Sequence, residues 1–395
     1  MTVETIRTKT SRIMALLSSL GLSIILFSFL MVLTYLGTLY QVEHGLYEAQ
    51  KKYFESMFLF HQAWGVIPIP LPGGYLVLML LFVNLLCGGV LRMRKGWGQA
   101  GMLISHAGIL ILLIGGFVTF QYSTSGHLTL YEGERSNLYK SYHEWEVAIA
   151  RTDADGTRRE YVIPGEEFTH LAEDKRERFT ASSLPFALTL GHYVRNAQPQ
   201  PANPVGTPTG PIADGFYLQQ LPPESNHERN VAGLYAVLEE NGAQAQHDFL
   251  LWGLQQQPAA VEVNGSTWEL DLRRKQWELP FTIALDEFHR ELHPRTNMPA
   301  AFMSDVTKIE RGHDERTRIS MNQPLRHEGY TLYQASWGPS DAGPNDPLFS
   351  SFAVVKDPAE NVPMTATIVT TLGLLVHFAI KLRKYLVREQ KKRPV

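Results

Sequence analysis

One histidine stands where chemistry is least expected. The stretch GMLISHAGILILLIGG sets His106 in an apolar run, with Ser105 before it and the small pair Ala107 and Gly108 after it. An ionisable side chain in hydrocarbon costs on the order of a few kcal/mol, so its presence calls for a role. Two roles suit an imidazole there. It can bridge two helices by a hydrogen bond, with Gly101, Ala107 and Gly108 allowing close approach. A neutral ring can instead be an axial ligand to haem iron, with the small-residue face leaving room for a porphyrin. His377, in GLLVHFAI, is a second candidate for touching haem and lies four residues before Lys381. It reads first as a structural or interfacial residue, as does His61.

Other reactive residues carry less. His289 and His293 lie four apart in FHRELH, a spacing able to chelate a metal from one face of a helix or strand. Arg290 rather than Glu follows the first of them, and Pro294 stops any helix, so a solvated strand edge is the expectation. Cys87 is the single cysteine. It reads as packing, because thiol exchange needs a resolving partner. No Cys-x-x-Cys-His run is present, so the chain is not itself a c-type cytochrome. No catalytic residue can be nominated from spacing.

The elements that must position these residues are membrane spans. A mean hydropathy just below zero hides two populations. Residues 13–40, 73–91, 99–120 and 362–380 are apolar and approach or exceed the roughly 20 residues that cross a bilayer as a helix. The first is too long for a signal-peptide core and reads as a retained anchor. Basic residues flank the spans in three clusters: Arg7, Lys9 and Arg12; Arg92, Arg94 and Lys95; and a tail from Lys381 to Arg393. Positive-inside bias puts all three in the cytoplasm, which leaves residues 41–72 and 121–361 outside. Lys51 and Lys52 oppose this only mildly. The net charge of −3 excludes a globally basic nucleic-acid binder.

Between residues 121 and 361 the texture changes to short alternating runs such as PFALTLGHYV and STWELDL. These predict a large β-rich extracytoplasmic domain, sandwich-like or an open barrel, beside the four transmembrane helices. The Pro-rich stretch 198–215 reads as a surface loop or insertion.

Two segments of this domain are more specific. LDEFHRELHPRTNMPAAFMSDVTKIE is followed by ISMNQPLRHEGYTLYQASWGPS and then by FAVVKDPAENVP before the last span. Asn322, Pro324, Leu325, Gly329, Tyr330, Tyr333, Gln334, Ser336, Asp357 and Pro358 match in order the pattern of the ResB family of cytochrome c biogenesis proteins, also called CcsB, which the chain resembles. Most of these residues look structural, as turns and half-buried strand positions. Tyr333, Gln334 and Trp337 are an alternative docking surface.

The resemblance implies the system II pathway. There, a ResB-type subunit and a ResC or CcsA partner move haem b across the inner membrane and attach it to Cys-x-x-Cys-His of apocytochrome c. The partner carries a Trp-Gly-x-x-Trp-x-Trp-Asp motif, which is absent from this chain. The chain is therefore expected to be an accessory subunit of the synthase rather than an enzyme alone. The family's third-span histidine matches SHAG, which assigns His106 as the axial ligand; the second ligand is thought to come from the partner. A different class of function competes: a scaffold or chaperone for apocytochrome c that binds no haem. A membrane thiol reductant is disfavoured by the lone Cys87.

Overall fold

The computed structural model describes residues 12–63, 66–153, 155–172, 175–202, 211–241, 246–293, 299–339 and 346–391. Arg7, Lys9, Lys392 and Arg393 of the basic clusters lie outside the described residues, as do 203–210 of the Pro-rich stretch. The chain divides into two compact units, one of Met1–Thr124 with Asp357–Val395 and one of Ser125–Lys356.

The first unit is helical. Among the described residues four helices are long and apolar enough to span a membrane: α1 (Leu20–His44), α2 (Gly74–Leu85, continued by a π-helical turn, Leu86–Leu91), α3 (Ala100–Tyr122) and α4 (Val362–Gln390). Phe27, Met31, Leu375 and Phe378 are exposed on them, as lipid-facing side chains should be. The first span is broken near its start. Residues 12–17 are helical, and α1 begins afresh after Ser19, whose hydroxyl accepts from the amide of Leu22. Buried Asn84 of α2 repairs the break by donating to the carbonyls of Leu17 (2.7 Å) and Ser19 (3.1 Å). Ser23 in turn donates to the Asn84 carbonyl at 2.6 Å. A strand pair, β1 (Phe58–Ala63) with β2 (Ile67–Pro72), links α1 to α2.

Glycine dictates how α3 meets α4. A Cβ on Gly101 would lie 2.3 Å from the His377 backbone nitrogen, and one on Gly108 would lie 2.8 Å from that of Thr370. The Ser105 hydroxyl donates to the Thr370 carbonyl at 3.2 Å, between the two glycines. Small residues bring the two backbones together, the usual route to tight association in lipid.

The second unit is built of strands. In chain order they begin with β3 (Thr124–Tyr131), β4 (Arg135–Thr152), β5 (Arg158–Pro164), β6 (Arg176–Phe179), β7 (Phe186–Val194) and β8 (Ala197–Pro201). Next come β9 (Phe216–Gln220), β10 (Gly233–Glu240), β11 (Gln246–Trp252), β12 (Ala259–Val263) and β13 (Ser266–Leu292). The last are β14 (Pro299–Glu310), β15 (His313–Ser320), β16 (Leu325–His327), β17 (Tyr330–Gly338) and β18 (Phe349–Lys356). A ten-stranded sheet runs β15-β14-β13-β4-β3-β18-β17-β16, with β12 on β13 and β5 on β4; a four-stranded sheet runs β11-β10-β7-β6.

Two large hydrophobic cores follow, beside a small one around Leu218 and Tyr235. One joins Leu188 and Leu190 of β7 and Leu234 of β10 to Trp145 and Val147 of β4 and Trp268 of β13, as in a sandwich. The other gathers Phe281, Ile283, Val306, Ile319, Leu332 and Phe352 inside the curled large sheet. Strands β4 and β13 are 18 and 27 residues long and serve both cores. Their register shifts at Arg274/Gln276 and again at Glu278/Ile283, where they pass from one core to the other. The large sheet bends until its end strands are joined by the Ser320–Gln323 turn, whose backbone amides and carbonyls pair in both directions. The membrane helices and β-rich domain expected from the sequence are both present. The Pro-rich stretch departs from the expected loop, because 198–201 belongs to β8. That strand pairs with β9 alone, so its prolines leave no ladder partner unserved.

Candidate functional site

His106 lies on α3 facing the π-helical end of α2. Its Nδ1 is 2.9 Å from the carbonyl oxygen of Gly89. That carbonyl belongs to the last turn of the helix, where no further amide follows to accept from. A Cβ on Gly89 would lie 2.6 Å from the same Nδ1, so glycine is what admits the ring.

The bond fixes the tautomer. A carbonyl only accepts, so Nδ1 carries the proton, and a neutral ring then keeps its lone pair on Nε2. Nε2 has no partner among the described residues. A half-buried imidazole with Nδ1–H anchored to a backbone carbonyl and a free Nε2 could hold a metal ion, because the anchor orients the ring. The helix bridge and the ligand geometry coexist in one side chain.

Of the two uses open to the small residues around His106, close helix approach is the one that Gly101 and Gly108 serve. Gly101 and Gly108 lie against α4 rather than lining open space, so they tighten the bundle and leave no porphyrin-sized gap on that face. The ring projects from another face of α3, towards α2. His377 sits on the α4 side: its backbone is pressed on Gly101, and its half-buried ring lies 5.8 Å from that of Phe378. The two histidines thus have different neighbours. His61, on β1, accepts from or donates to the Tyr53 hydroxyl at 2.8 Å. Cys87 is buried within the π-helical turn.

In the second unit the motif residues close on one another. Ser304, Gln334 and Ser350 come from β14, β17 and β18 and are buried. The Ser304 hydroxyl donates to Gln334 Oε1 at 2.7 Å, Gln334 Nε2 donates to Ser350 at 2.7 Å and to the Ser336 carbonyl at 3.2 Å, and the two serine oxygens are 2.9 Å apart. Every polar atom of the amide is satisfied, so Gln334 is structural rather than a docking residue. Asp357 belongs to the first unit, where both its oxygens accept from Thr119 of α3, at 3.0 and 2.9 Å. The Asp-Pro step therefore pins the start of the last span to the end of the third.

The His289 pair is resolved by geometry. Four residues of extended chain cover about 13 Å, so His289 and His293 cannot share one ion. His289 Nε2 instead meets Asp305 of β14 at 2.9 Å, and Glu287 lies 3.7 Å from its Nδ1. Asp305 also holds the Arg318 guanidinium through two bonds of 2.6 and 2.8 Å. This pairing holds the Asp305 carboxyl down at about 2, with Arg318 the leading cause and His289 the next. A second group, Glu310, His327 and Glu328, has Lys308 Nζ 3.3 Å from the His327 ring. Each cluster already has a cation beside its carboxylates.

Sequence reasoning did not find the hollow beside the loop that joins α2 to α3. Met93, Arg94, Lys95, Trp97 and Leu103 are among its walls, and its volume is about 360 Å³. The signal was present in RMRKGWG, a basic run ending in a tryptophan flanked by glycines.

A family model described as "ResB-like family" matches residues 251–346. Over 84 residues the chain is 38% identical to the cytochrome c biogenesis protein CcsB of Prochlorococcus marinus strain NATL1A, and 37% identical to that of strain NATL2A. Each match covers 19% of this chain and 20% of the relative, so the chain spans about a fifth of the length of the curated relatives it matches. The family segment includes β13 through β17 and with them Ser304 and Gln334 of the buried node. The family match is thus confined to the strand-rich unit, where it takes in these strands, their turns and the node.

Proposed function

We propose that the chain is the haem-delivering subunit of a membrane complex for cytochrome c biogenesis. Haem b is its transported substrate, received on the cytoplasmic side at His106 and passed outward. A ResC or CcsA-type partner supplies the second axial ligand and the attachment chemistry, and apocytochrome c receives the haem outside. The names of the relatives support the biogenesis role. The observation that carries the haem reading is the His106 ring, anchored through Nδ1 to the Gly89 carbonyl with Nε2 open.

Two substitutions test it in the assembled complex. His106→Asn keeps an amide donor for the Gly89 carbonyl but has no imidazole lone pair. It should leave the amount of complex nearly unchanged and abolish or shift the haem absorption. His106→Ala should do the same, and imidazole added in solution should partly restore spectrum and activity by filling the vacated coordination position. A bridge without a ligand role predicts the reverse: His106→Ala costs about 0.6 to 2 kcal/mol of helix association, and neither variant changes the spectrum. That result would favour the scaffold reading. His377→Ala is the control and should leave the spectrum intact.

A further inference from the structure

The hollow beside the α2–α3 loop has properties that anchoring in a bilayer interface does not require. Trp97 is 91% exposed, with no ring or cation stacked on it among the described residues. Neither Arg94 nor Lys95 makes a hydrogen bond or ion pair among the described residues. Arg92, two residues earlier, is committed to the Ser18 hydroxyl. A third cation approaches from α4, with Lys384 Nζ 2.8 Å from where a Cβ on Gly98 would lie. No acidic residue occurs between Leu91 and Phe117 to offset them. The hollow therefore offers open positive charge beside one aromatic face.

Its position relative to His106 is the second observation. Leu103 lines the hollow and precedes His106 by three residues, so the two share a face of α3. Gln99, also in the wall, is seven residues before His106, a rise of about 10 Å. That rise is comparable to the reach from the iron of a haem to the carboxylates at its edge. A flat macrocycle with iron at Nε2 would bring its two anionic arms to the cations and an apolar edge to Leu103 and Met93.

We infer that the Arg94–Lys95–Trp97 hollow receives the propionate carboxylates of the haem whose iron is held at His106. The inference rests on the haem reading above and adds the feature by which the chain selects and orients its substrate. Ionic hydrogen bonds from Arg94 and Lys95 recognise the carboxylates, and the protein then distinguishes a dicarboxylate macrocycle from a neutral one.

The test uses the full chain with its partner in nanodiscs of zwitterionic lipid, titrated with haem and with haem dimethyl ester while the absorption band is followed. Wild type should bind haem about tenfold or more tightly than the diester. Arg94→Gln with Lys95→Gln should remove that preference by weakening haem alone, leaving diester binding and the ligand-dependent spectrum unchanged. His106→Asn should lose both probes alike, which separates this inference from the haem reading itself. Equal weakening of both probes in the double variant, or a preference that survives it, would overturn the inference. So would an effect of the double variant seen only in discs containing anionic lipid, because the cations would then belong to headgroups. If wild type took up neither probe, the haem reading would fail and this one with it.

Discussion

Ser304, Gln334 and Ser350 in the strand-rich unit and His106 in the helical unit are all polar groups lodged among apolar neighbours. In the strand-rich unit each group finds its full complement of partners: the Gln334 amide accepts one hydrogen bond and donates two. In the helical unit His106 uses one nitrogen and leaves the other open. A satisfied network holds strands in register and has no capacity left for chemistry. A side chain anchored at one end and open at the other is stable enough to be positioned and free enough to bind. The residues that match the family pattern and the residue proposed to hold haem are thus in different units, and for different reasons.

The contrast within α3 gives the largest expected effect. Gly101→Leu would force a Cβ to within 2.3 Å of the His377 nitrogen and 2.6 Å of the Gly373 carbonyl oxygen, both backbone atoms of α4. Backbone cannot swing aside as a side chain can, so the cost should reach about 3 kcal/mol and lower the amount of folded chain in the membrane several-fold. Gly116 of the same helix has nothing within 4 Å of its would-be Cβ. Gly116→Leu should leave the amount of protein unchanged. Equal losses from both variants, measured by membrane abundance, would mean that helix approach is not what the glycines serve.

An intermediate effect is expected from the buried node. Gln334→Ala strands the hydroxyls of Ser304 and Ser350, and an unsatisfied buried polar group costs about 1–3 kcal/mol. Thermal unfolding of the detergent-solubilised chain should show the loss, while the haem absorption of the assembled complex stays as in wild type. A spectral change in Gln334→Ala would break the separation of roles between the two units.

Much of this arrangement was legible beforehand, and what was not has a common cause. The four spans and the alternating strands follow from local hydrophobic pattern, which a single chain displays in full. His106 drew notice because its surroundings are apolar, another local property. Its partner was not visible, because the Gly89 carbonyl is free only where a π-helical turn ends the second span against the third. Gly101 and Gly108 left two uses open for the same reason: small residues admit either a ligand or a neighbouring helix, and only the approach of α4 decides. His289 and His293 looked paired by spacing, whereas the strand register sets His289 diagonally across from Asp305 of β14 and sets Asp305 opposite Arg318 of β15. Register is non-local, and sixteen residues separate the two partners of the first pair.

That ion-pair chain supports the smallest expected effect. The Asp305 carboxyl is held at about 2 against an ordinary value of 3.8, because Arg318 and then His289 favour its charged form. Between those two pH values the unfolded chain binds more protons than the folded one, so stability rises with pH across that window. The contribution is complete above about pH 4 and is lost as pH falls from there towards 2. At neutral pH the pair is partly exposed and screened, so Asp305→Asn should cost no more than about 1 kcal/mol in thermal unfolding. Its diagnostic is the difference between the two proteins: wild type should lose that advantage on acidification, with the two melting curves converging near pH 2. A gap that persisted at pH 2 would mean that Asp305 acts through shape or a neutral hydrogen bond. A gap already closed well above pH 4 would mean that another group sets it. In either case the strand-rich unit would hold a polar group less completely balanced than its buried node, and the contrast with His106 would narrow.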